Sequence, residues 1–284
     1  MRTEKVDQSD YQQKQQIAKN ILNGADGIER EEGLVSIIMP SYNTAPYIKQ
    51  SIQSVLNQTY TNWELLIIDD CSTDNTDEIF KEINDNRIRY FKNEVNSGAA
   101  VSRSKALREA KGQWIAFLDS DDLWLPTKLK KQIEFMNRNN YSFSYTNYEE
   151  IDVDGNDTGV KVTGPKRITK TGMYNYCWPG CLTVMYDASK IGLIQIHDIK
   201  KNNDYAMWLK VSQKADCYLL DEYLAKYRKG RSGSISTHSI KTMISWHYKL
   251  YSETEGMGTL KSLFNTGRNL VFGFYKKIRY VGRK

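Results

Sequence analysis

Between residues 34 and 140, short apolar runs alternate with segments whose apolar positions recur at helical spacing. LVSIIMP, residues 34 to 40, is a β-branched run stopped by proline and predicts a buried strand. APYIKQSIQSVLNQ follows with Ile48, Ile52, Val55 and Leu56 on one helical face. WELLIID predicts a second buried strand, and STDNTDEIFKEI a helix with Ser, Thr and Asp available as caps. RIRYF predicts a third strand, SGAAVSRSKALREAKG a helix with a glycine near each end, WIAFLD a fourth strand, and LPTKLKKQIEFMNRN another helix. Such alternation requires parallel strands joined by crossover helices, so the predicted class is α/β, a Rossmann-like doubly wound sheet covered on both faces. After residue 140 the pattern changes. SFSYTNYEEIDVDGNDTGVKV predicts strands around a DG turn, CLTVMYD another strand, NDYAMWLKVSQ a helix, and CYLLDEYLAKYR one or two strands. Residues 1–33 read as a mobile or loosely docked extension, with YQQKQQIAKNIL a short potential helix, and residues 238–284 as helical and increasingly basic.

Doubly wound sheets bind ligands beyond the carboxyl ends of their strands. Three polar clusters fall there: PSYN after the first strand, DDCSTD after the second, DSDD after the fourth. In the last, Asp119, Asp121 and Asp122 crowd into four positions. Like charges so close raise each other's pKa, which an ordinary turn does not require. Carboxylates with no neighbouring His or Cys suit a hard divalent cation, Mg²⁺ or Mn²⁺. Such an ion keeps one or two carboxylates and fills its shell with water and phosphate oxygens, implying a phosphate-bearing substrate. The chain has no GxxxxGK and no GxGxxG, so phosphates would be held mainly through metal. The plainer alternative for both acid clusters is helix capping.

Composition narrows the picture a little. The formal charge of +6, from 40 basic and 34 acidic residues, is too mild an excess to argue for nucleic acid. Cys71, Cys177, Cys181 and Cys217 form no CxxC pair and no zinc pattern, and read as reduced thiols. The N-terminus lacks a signal-peptide pattern, and no stretch approaches the ~18 apolar residues of a membrane span, so a cytoplasmic protein is expected. The N-x-S/T matches at Asn57 and Asn156 are then chance. His197, His238 and His247 make no ligand set, though His238 could reach a metal.

VSIIMPSYN, ELLIIDDCSTDNT, NSGAAVSRSKAL and WIAFLDSDD, in that order and spacing, resemble the family 2 glycosyltransferases over roughly residues 34 to 235. The resemblance implies a GT-A fold and an inverting enzyme that uses a nucleotide sugar. It divides 34–237 into a nucleotide-binding half, 34–125, and an acceptor-binding half, 126–237. By that likeness Pro40 and Tyr42 line the uridine pocket, and Asp70, supported by Asp69, accepts from the base imide. A carboxylate only accepts, so it suits the N3–H of uracil and clashes with cytosine N3, which favours UDP over CDP. Gly98 and Arg103 match a segment near base and diphosphate. Asp121 is implied at ribose or metal, Asp122 at metal, and Asp119 at metal or sugar. KNNDYAMWLK matches the motif that carries the family's base, implying Asp204 in that role and Trp208 beside the acceptor. Where the family has Glu, this chain has Asn203.

Later matches are looser. PGCLTVMYD resembles the acceptor-side strand and puts Gly180, Cys181 and Thr183 near the acceptor. YRKGRSGSIS resembles a loop that closes over diphosphate, with Arg228, Arg231, Ser232 and Ser234 as donors and Gly230 and Gly233 as hinges. Tyr42, Trp124 and Trp208 also read as core aromatics, Cys181 as a small buried residue, and Asp204 as a helix cap. The likeness implies a UDP-sugar donor, a glycan or lipid-linked acceptor, and work on a bacterial capsule, lipopolysaccharide or other surface glycan. Alternatives from other classes are a binder that has lost catalysis, to which Asn203 points, and a nucleotidyltransferase, which would want a Gly-rich loop where PSYNTAPY stands. Residues 256–284 carry seven basic side chains and no acidic one, interleaved with apolar residues. That pattern reads as a helix on an anionic membrane surface at the cytoplasmic face, or as one docked on the domain. Oligomeric state is not legible.

Overall fold

The computed structural model describes residues 21–23, 26–196, 199, 201–230 and 240–283. In chain order these form β1 (Ile21–Asn23), β2 (Glu29–Ser41), α1 (Ala45–Leu56), β3 (Trp63–Asp69), α2 (Thr76–Lys81), β4 (Ile88–Lys92), α3 (Ala99–Glu109) and β5 (Gly112–Phe117). Then come β6 (Leu123–Trp124), α4 (Lys128–Asn139), β7 (Phe143–Ile151), β8 (Asp157–Val162), β9 (Arg167–Ile168), α5 (Lys170–Asn175), β10 (Met185–Asp187) and α6 (Ala188–Ile191). The last are α7 (Asn203–Val211), β11 (Cys217–Arg228), α8 (Ile240–Lys249), a π-helical turn (Leu250–Thr254), α9 (Thr259–Arg279) and β12 (Val281–Arg283).

One mixed sheet holds the strands in the order β12-β8-β7-β10-β5-β2-β3-β4. β2 pairs in parallel with both β3 and β5, and β3 with β4. β10 joins β5 and β7 antiparallel, which makes the sheet mixed. The chain moves from β2 outward to β3 and β4, then crosses back to lay β5 on the other side of β2. The strand ends diverge there, and crevices at such switch points are where doubly wound sheets hold ligands.

Alternation within β2 feeds two cores. Val35, Ile37 and Met39 pack with Ile48, Ile52 and Val55 of α1 and with Leu129, Ile133 and Met136 of α4. Ile38 faces the other way, with Ala106 and Leu107 of α3 and Ala206 and Leu209 of α7. These strands read as unbroken apolar runs because both faces are covered.

Three elements differ from expectation. β2 begins at Glu29, inside the polar run EREEG, because Arg30 is buried, donates to Asp26 at 2.8 Å and to the Ala110 carbonyl at 3.3 Å, and β1 pairs alongside. CLTVMYD is only partly a strand. Cys181–Thr183 is a 3₁₀ turn in which the Gly180 carbonyl accepts from the Thr183 amide at 2.9 Å and its hydroxyl at 2.6 Å. Past α9, β12 adds antiparallel to β8 at the sheet edge. Most of YQQKQQIAKNIL lies outside the described residues.

Backbones approach closely in the central sheet at Gly112. A Cβ there would lie 2.5 Å from the Leu34 carbonyl oxygen and 2.8 Å from the Ser36 nitrogen. Gly112→Ala should cost about 1–3 kcal/mol of stability, lowering Tm by several degrees in a thermal melt. An unchanged Tm would contradict the strand spacing described.

Candidate active site

The ends of β2, β3 and β4 are tied to one another before any ligand is considered. The Asp70 amide donates to the Ser41 carbonyl at 2.8 Å and the Asn93 amide to the Asp69 carbonyl at 2.8 Å. Asn43 donates its amide to the Ser72 hydroxyl at 2.9 Å, and its side-chain oxygen accepts from the Thr73 amide at 2.8 Å. Asp69 is fully buried and accepts from the amide and hydroxyl of Ser72, so it shapes the loop. Asp70 is buried too and accepts from Asn93 Nδ2 at 2.9 Å, the Ser97 amide at 2.9 Å and the Gly98 amide at 2.6 Å. A carboxylate offers about four acceptor positions, so roughly one remains. Gly98 caps α3 at φ 89°, a conformation that favours glycine. Pro40 is buried in β2 opposite Ile68, while Tyr42, just past the strand, is exposed.

DSDD forms a tight turn beyond β5, closed by the Asp122 amide donating to the Asp119 carbonyl at 3.1 Å. Asp122 is buried, and its Oδ1 accepts from the Arg228 amide at 2.8 Å. Burial pushes its carboxyl well above the usual carboxylate range. Asp121 and Asp119 push the same way, and the Arg228 amide opposes. No group of three His, Cys, Asp or Glu converges as a ready metal cage among the described residues, and Asp119 is ion-paired with Arg103. Asp121 and Asp122 remain as the adjacent pair on the turn. A hard divalent ion needs only one or two carboxylates, and a buried carboxyl held against its charged form is one that a cation would relieve. The donor set therefore fits Mg²⁺ or Mn²⁺.

Arg103 links this turn to the second half of the domain. It rises from α3, is buried, and donates from Nη2 to Asp119 and from Nη1 to Asn203 Oδ1 at 2.7 Å. Its buried Nε has no partner among the described residues. Asn203 opens α7, and Asp204 follows in the first turn, half-buried. Burial raises the Asp204 carboxyl, Arg103 and the Tyr205 amide lower it, and Asp119 adds to the rise. The Cys181 thiol is pushed up by burial and feels Arg103, Asp119, Asp204 and Asp122 together. Asp119, Asp122, Asp204 and Arg103 thus all lie within electrostatic reach of the Cys181 thiol.

The structure gives several of the expected residues specific surroundings. Arg228, expected as a donor to diphosphate, bonds within the protein. It is buried, with Nε on the Asp121 carbonyl, Nη1 on the Asp152 and Val153 carbonyls and Nη2 on Gln50 Oε1, and it lies over the Tyr47 ring. Its donors hold the acid turn in place. Trp208, expected beside the acceptor, is a core residue, fully buried edge-on to Phe117 at 5.0 Å. Trp124 is core as well, donating to the Leu182 carbonyl at 2.7 Å. Thr183 is buried and closes the 3₁₀ turn. Gly180 abuts Tyr148, whose Cε1 would meet an added Cβ at 3.3 Å. Arg231, Ser232, Ser234, Gly233, His197 and His238 lie outside the described residues. The four cysteines are free thiols.

Some residues around these turns escaped the sequence reading. Asn93 sits at the carboxyl end of β4 and holds Asp70; the strand-end rule applied to the other three strands would have found it. Tyr148 and Tyr227 meet edge-on at 5.9 Å beside Gly180, both half-buried, and no local signal marks them. Lys128 is fully buried over the Trp124 ring at 3.9 Å, its Nζ without a hydrogen-bond partner and its pKa driven well down by burial. Nothing in LPTKLKK distinguishes it from its neighbours.

Comparison with known proteins agrees with the geometry. The family model described as Glycosyl transferase family 2 matches residues 36–185. Two Escherichia coli relatives are UDP-Glc:alpha-D-GlcNAc-diphosphoundecaprenol beta-1,3-glucosyltransferases. WfgD is 43% identical over 75% of this chain and 83% of its own, and WfaP is 41% identical over 74% and 83%. The solved structure of S. aureus TarS residues 1–349 in complex with UDP-GlcNAc superposes with a TM-score of 0.63 at 21% identity, over 86% of this chain and 76% of that one. It shares the expected GT-A fold. On its motifs, its sheet and these likenesses, the chain belongs to glycosyl transferase family 2.

Proposed function

We propose that this glycosyltransferase moves a sugar from a UDP-sugar to a hydroxyl of a lipid-linked glycan, with inversion, in the assembly of a bacterial surface polysaccharide. The observation that carries the chemistry is the Arg103 bridge, which joins the acid turn after β5 to the helix that bears Asp204. A metal-binding turn and a carboxylate base must flank one reacting carbon, and this bridge fixes their separation. The choice of UDP and of a lipid-linked acceptor is supported by the names of WfgD and WfaP and by the UDP-GlcNAc bound to TarS.

On the donor side, exposed Tyr42 and buried Pro40 border the place for uridine, and the acceptor position left on Asp70 suits the uracil N3–H. The unpartnered Nε–H of Arg103 is a donor for diphosphate oxygen. Asp122, with Asp121, would hold Mg²⁺ or Mn²⁺; when bound, that ion supplies Lewis-acid stabilisation of charge on the departing UDP. Asp119, held by Arg103, is the third carboxylate of the turn and is assigned to metal or donor sugar. Arg228 holds the turn together against the mutual repulsion of its carboxylates.

On the acceptor side, Asp204 takes the proton from the attacking hydroxyl. A raised carboxyl pKa brings a base closer to working pH, and Arg103 keeps the group ionised. Attack opposite the departing diphosphate is a single displacement, which inverts the anomeric centre. Tyr148 and Tyr227 offer aromatic faces to the acceptor sugar. Asn203 does not favour the non-catalytic alternative, since its amide oxygen accepts from Arg103 and so serves the bridge. The wall after β2 has no phosphate loop, against nucleotidyl transfer.

Two outcomes test this reading. With UDP-sugars and acceptors screened by UDP release in Mn²⁺ or Mg²⁺, Asp204→Asn should lower turnover by roughly 10²- to 10⁴-fold and leave UDP affinity by calorimetry unchanged. Near-normal turnover would remove Asp204 from the role. The second concerns pH. Burial holds the Asp122 carboxyl above its ordinary range, so the fold is favoured while the group is protonated. That advantage is lost as pH rises from about 4 through the raised value. In metal-free buffer at pH 7, Asp122→Asn should therefore raise Tm, and the gain should vanish near pH 4. A lower Tm at pH 7 would contradict the burial argument for a cation site.

A further inference from the structure

The helix α9 is inside out. Leu260, Phe264, Val271, Phe274 and Ile278 recur on one face, with Gly267 between, and they are 85%, 65%, 66%, 68% and 68% exposed. The opposite face is polar and buried: Ser262, Asn265, Thr266, Asn269 and Lys276. A helix packed on a globular domain ordinarily turns its apolar stripe inward. Here the inward face is fixed by specific polar contacts. Asn269 Nδ2 donates to the Tyr205 hydroxyl at 3.2 Å and Lys276 Nζ to the Trp178 carbonyl at 2.8 Å. Gly273 lets Tyr176 approach so closely that a Cβ would meet its ring at 2.9 Å. β12 then pins the end of the helix to β8. The helix cannot roll its stripe into the core without breaking these contacts.

We propose that the outward face of α9 is a docking surface for an anionic lipid bilayer. The charges around the stripe choose the occupant. Lys261, Lys277, Arg279 and Arg283 are exposed beside it, and residues 256–283 contain no acidic residue. A second copy of the chain would bring these like charges together, whereas anionic headgroups neutralise them. Aromatic and aliphatic side chains on one side with lysine and arginine along its flanks is the arrangement of a helix lying in the interface plane. No helix among the described residues is long and apolar enough to cross a membrane. A depression of about 240 Å³, lined by Trp178, Phe272, Tyr275 and Tyr280 among others, extends the apolar surface beside the helix. The buried face of α9 bonds to Tyr205, the residue after the proposed base, so lipid docking would set the base helix at a fixed height above the bilayer. This deepens the proposed use of a lipid-linked acceptor, yet vesicle binding needs neither donor nor acceptor, so the two readings fail separately.

The test is co-sedimentation of the full chain with vesicles of phosphatidylglycerol and phosphatidylcholine, against vesicles of phosphatidylcholine alone. The protein should pellet with the anionic vesicles and release at high salt. The variant Phe264→Ser/Val271→Ser/Phe274→Ser and the variant Lys261→Gln/Lys277→Gln/Arg279→Gln should each lower the bound-to-free ratio by about tenfold or more. Far-UV circular dichroism and UDP affinity should stay as in the parent, since these side chains are exposed. Equal pelleting of parent and variants would overturn the proposal. So would a soluble dimer, dissolved by the apolar substitutions, that ignores vesicles, because it would assign the face to a second copy.

Discussion

A buried guanidinium must have its charge answered, and the answer Arg103 finds determines the geometry of everything around it. It reaches Asp119 at the end of β5 and Asn203 at the start of α7, residues 16 and 100 positions away in the chain. Leaving such a group unpaired in the interior costs several kcal/mol, so the two segments cannot drift apart without a large penalty. Because Asn203 is neutral, the bond to it consumes no positive charge. The field of Arg103 then falls on Asp119 and Asp204. A neutral Asn203 at this position thus leaves Arg103's charge to the two carboxylates while giving it a hydrogen-bond partner.

The site is also where the fold opposes itself. Asp122 and Asp204 are both held above the ordinary carboxylate range, chiefly by burial. Groups of this kind gather at functional sites, where stability is given up for chemistry. Arg228 limits the damage: it holds the backbone of the acid turn from below, through the Asp121 carbonyl, and joins it to the Asp152–Val153 corner and to Gln50 of α1. Arg228, expected as a donor to phosphate, is in the structure a clamp on the acid turn.

Much of this was legible in the sequence where one rule dominates. Parallel strands covered on both faces must be apolar throughout, so LVSIIMP, WELLIID and WIAFLD declared themselves, and polar residues immediately after them had to lie on one rim. Legibility failed where the outcome depends on which neighbour arrives. Arg30 is buried because Asp26 and Ala110 happen to receive it, in a stretch that is otherwise polar. Trp208 is core because its side of α7 faces Phe117, which helical spacing alone does not specify. The stripe on α9 was visible as a period, but the period does not say which face turns outward; that is set by Asn269, Lys276 and Gly273, polar and small residues with no apolar signal.

The most direct test of the account is a carbon-detected NMR titration of the Asp204 carboxyl, in the parent chain and in Arg103→Gln, with Arg103→Lys as a folded, charged control. If Arg103 holds the proposed base ionised across the gap between β5 and α7, the Asp204 pKa rises when the charge is removed and stays near the parent value in the lysine variant. An Asp204 pKa that does not move in Arg103→Gln would contradict the account.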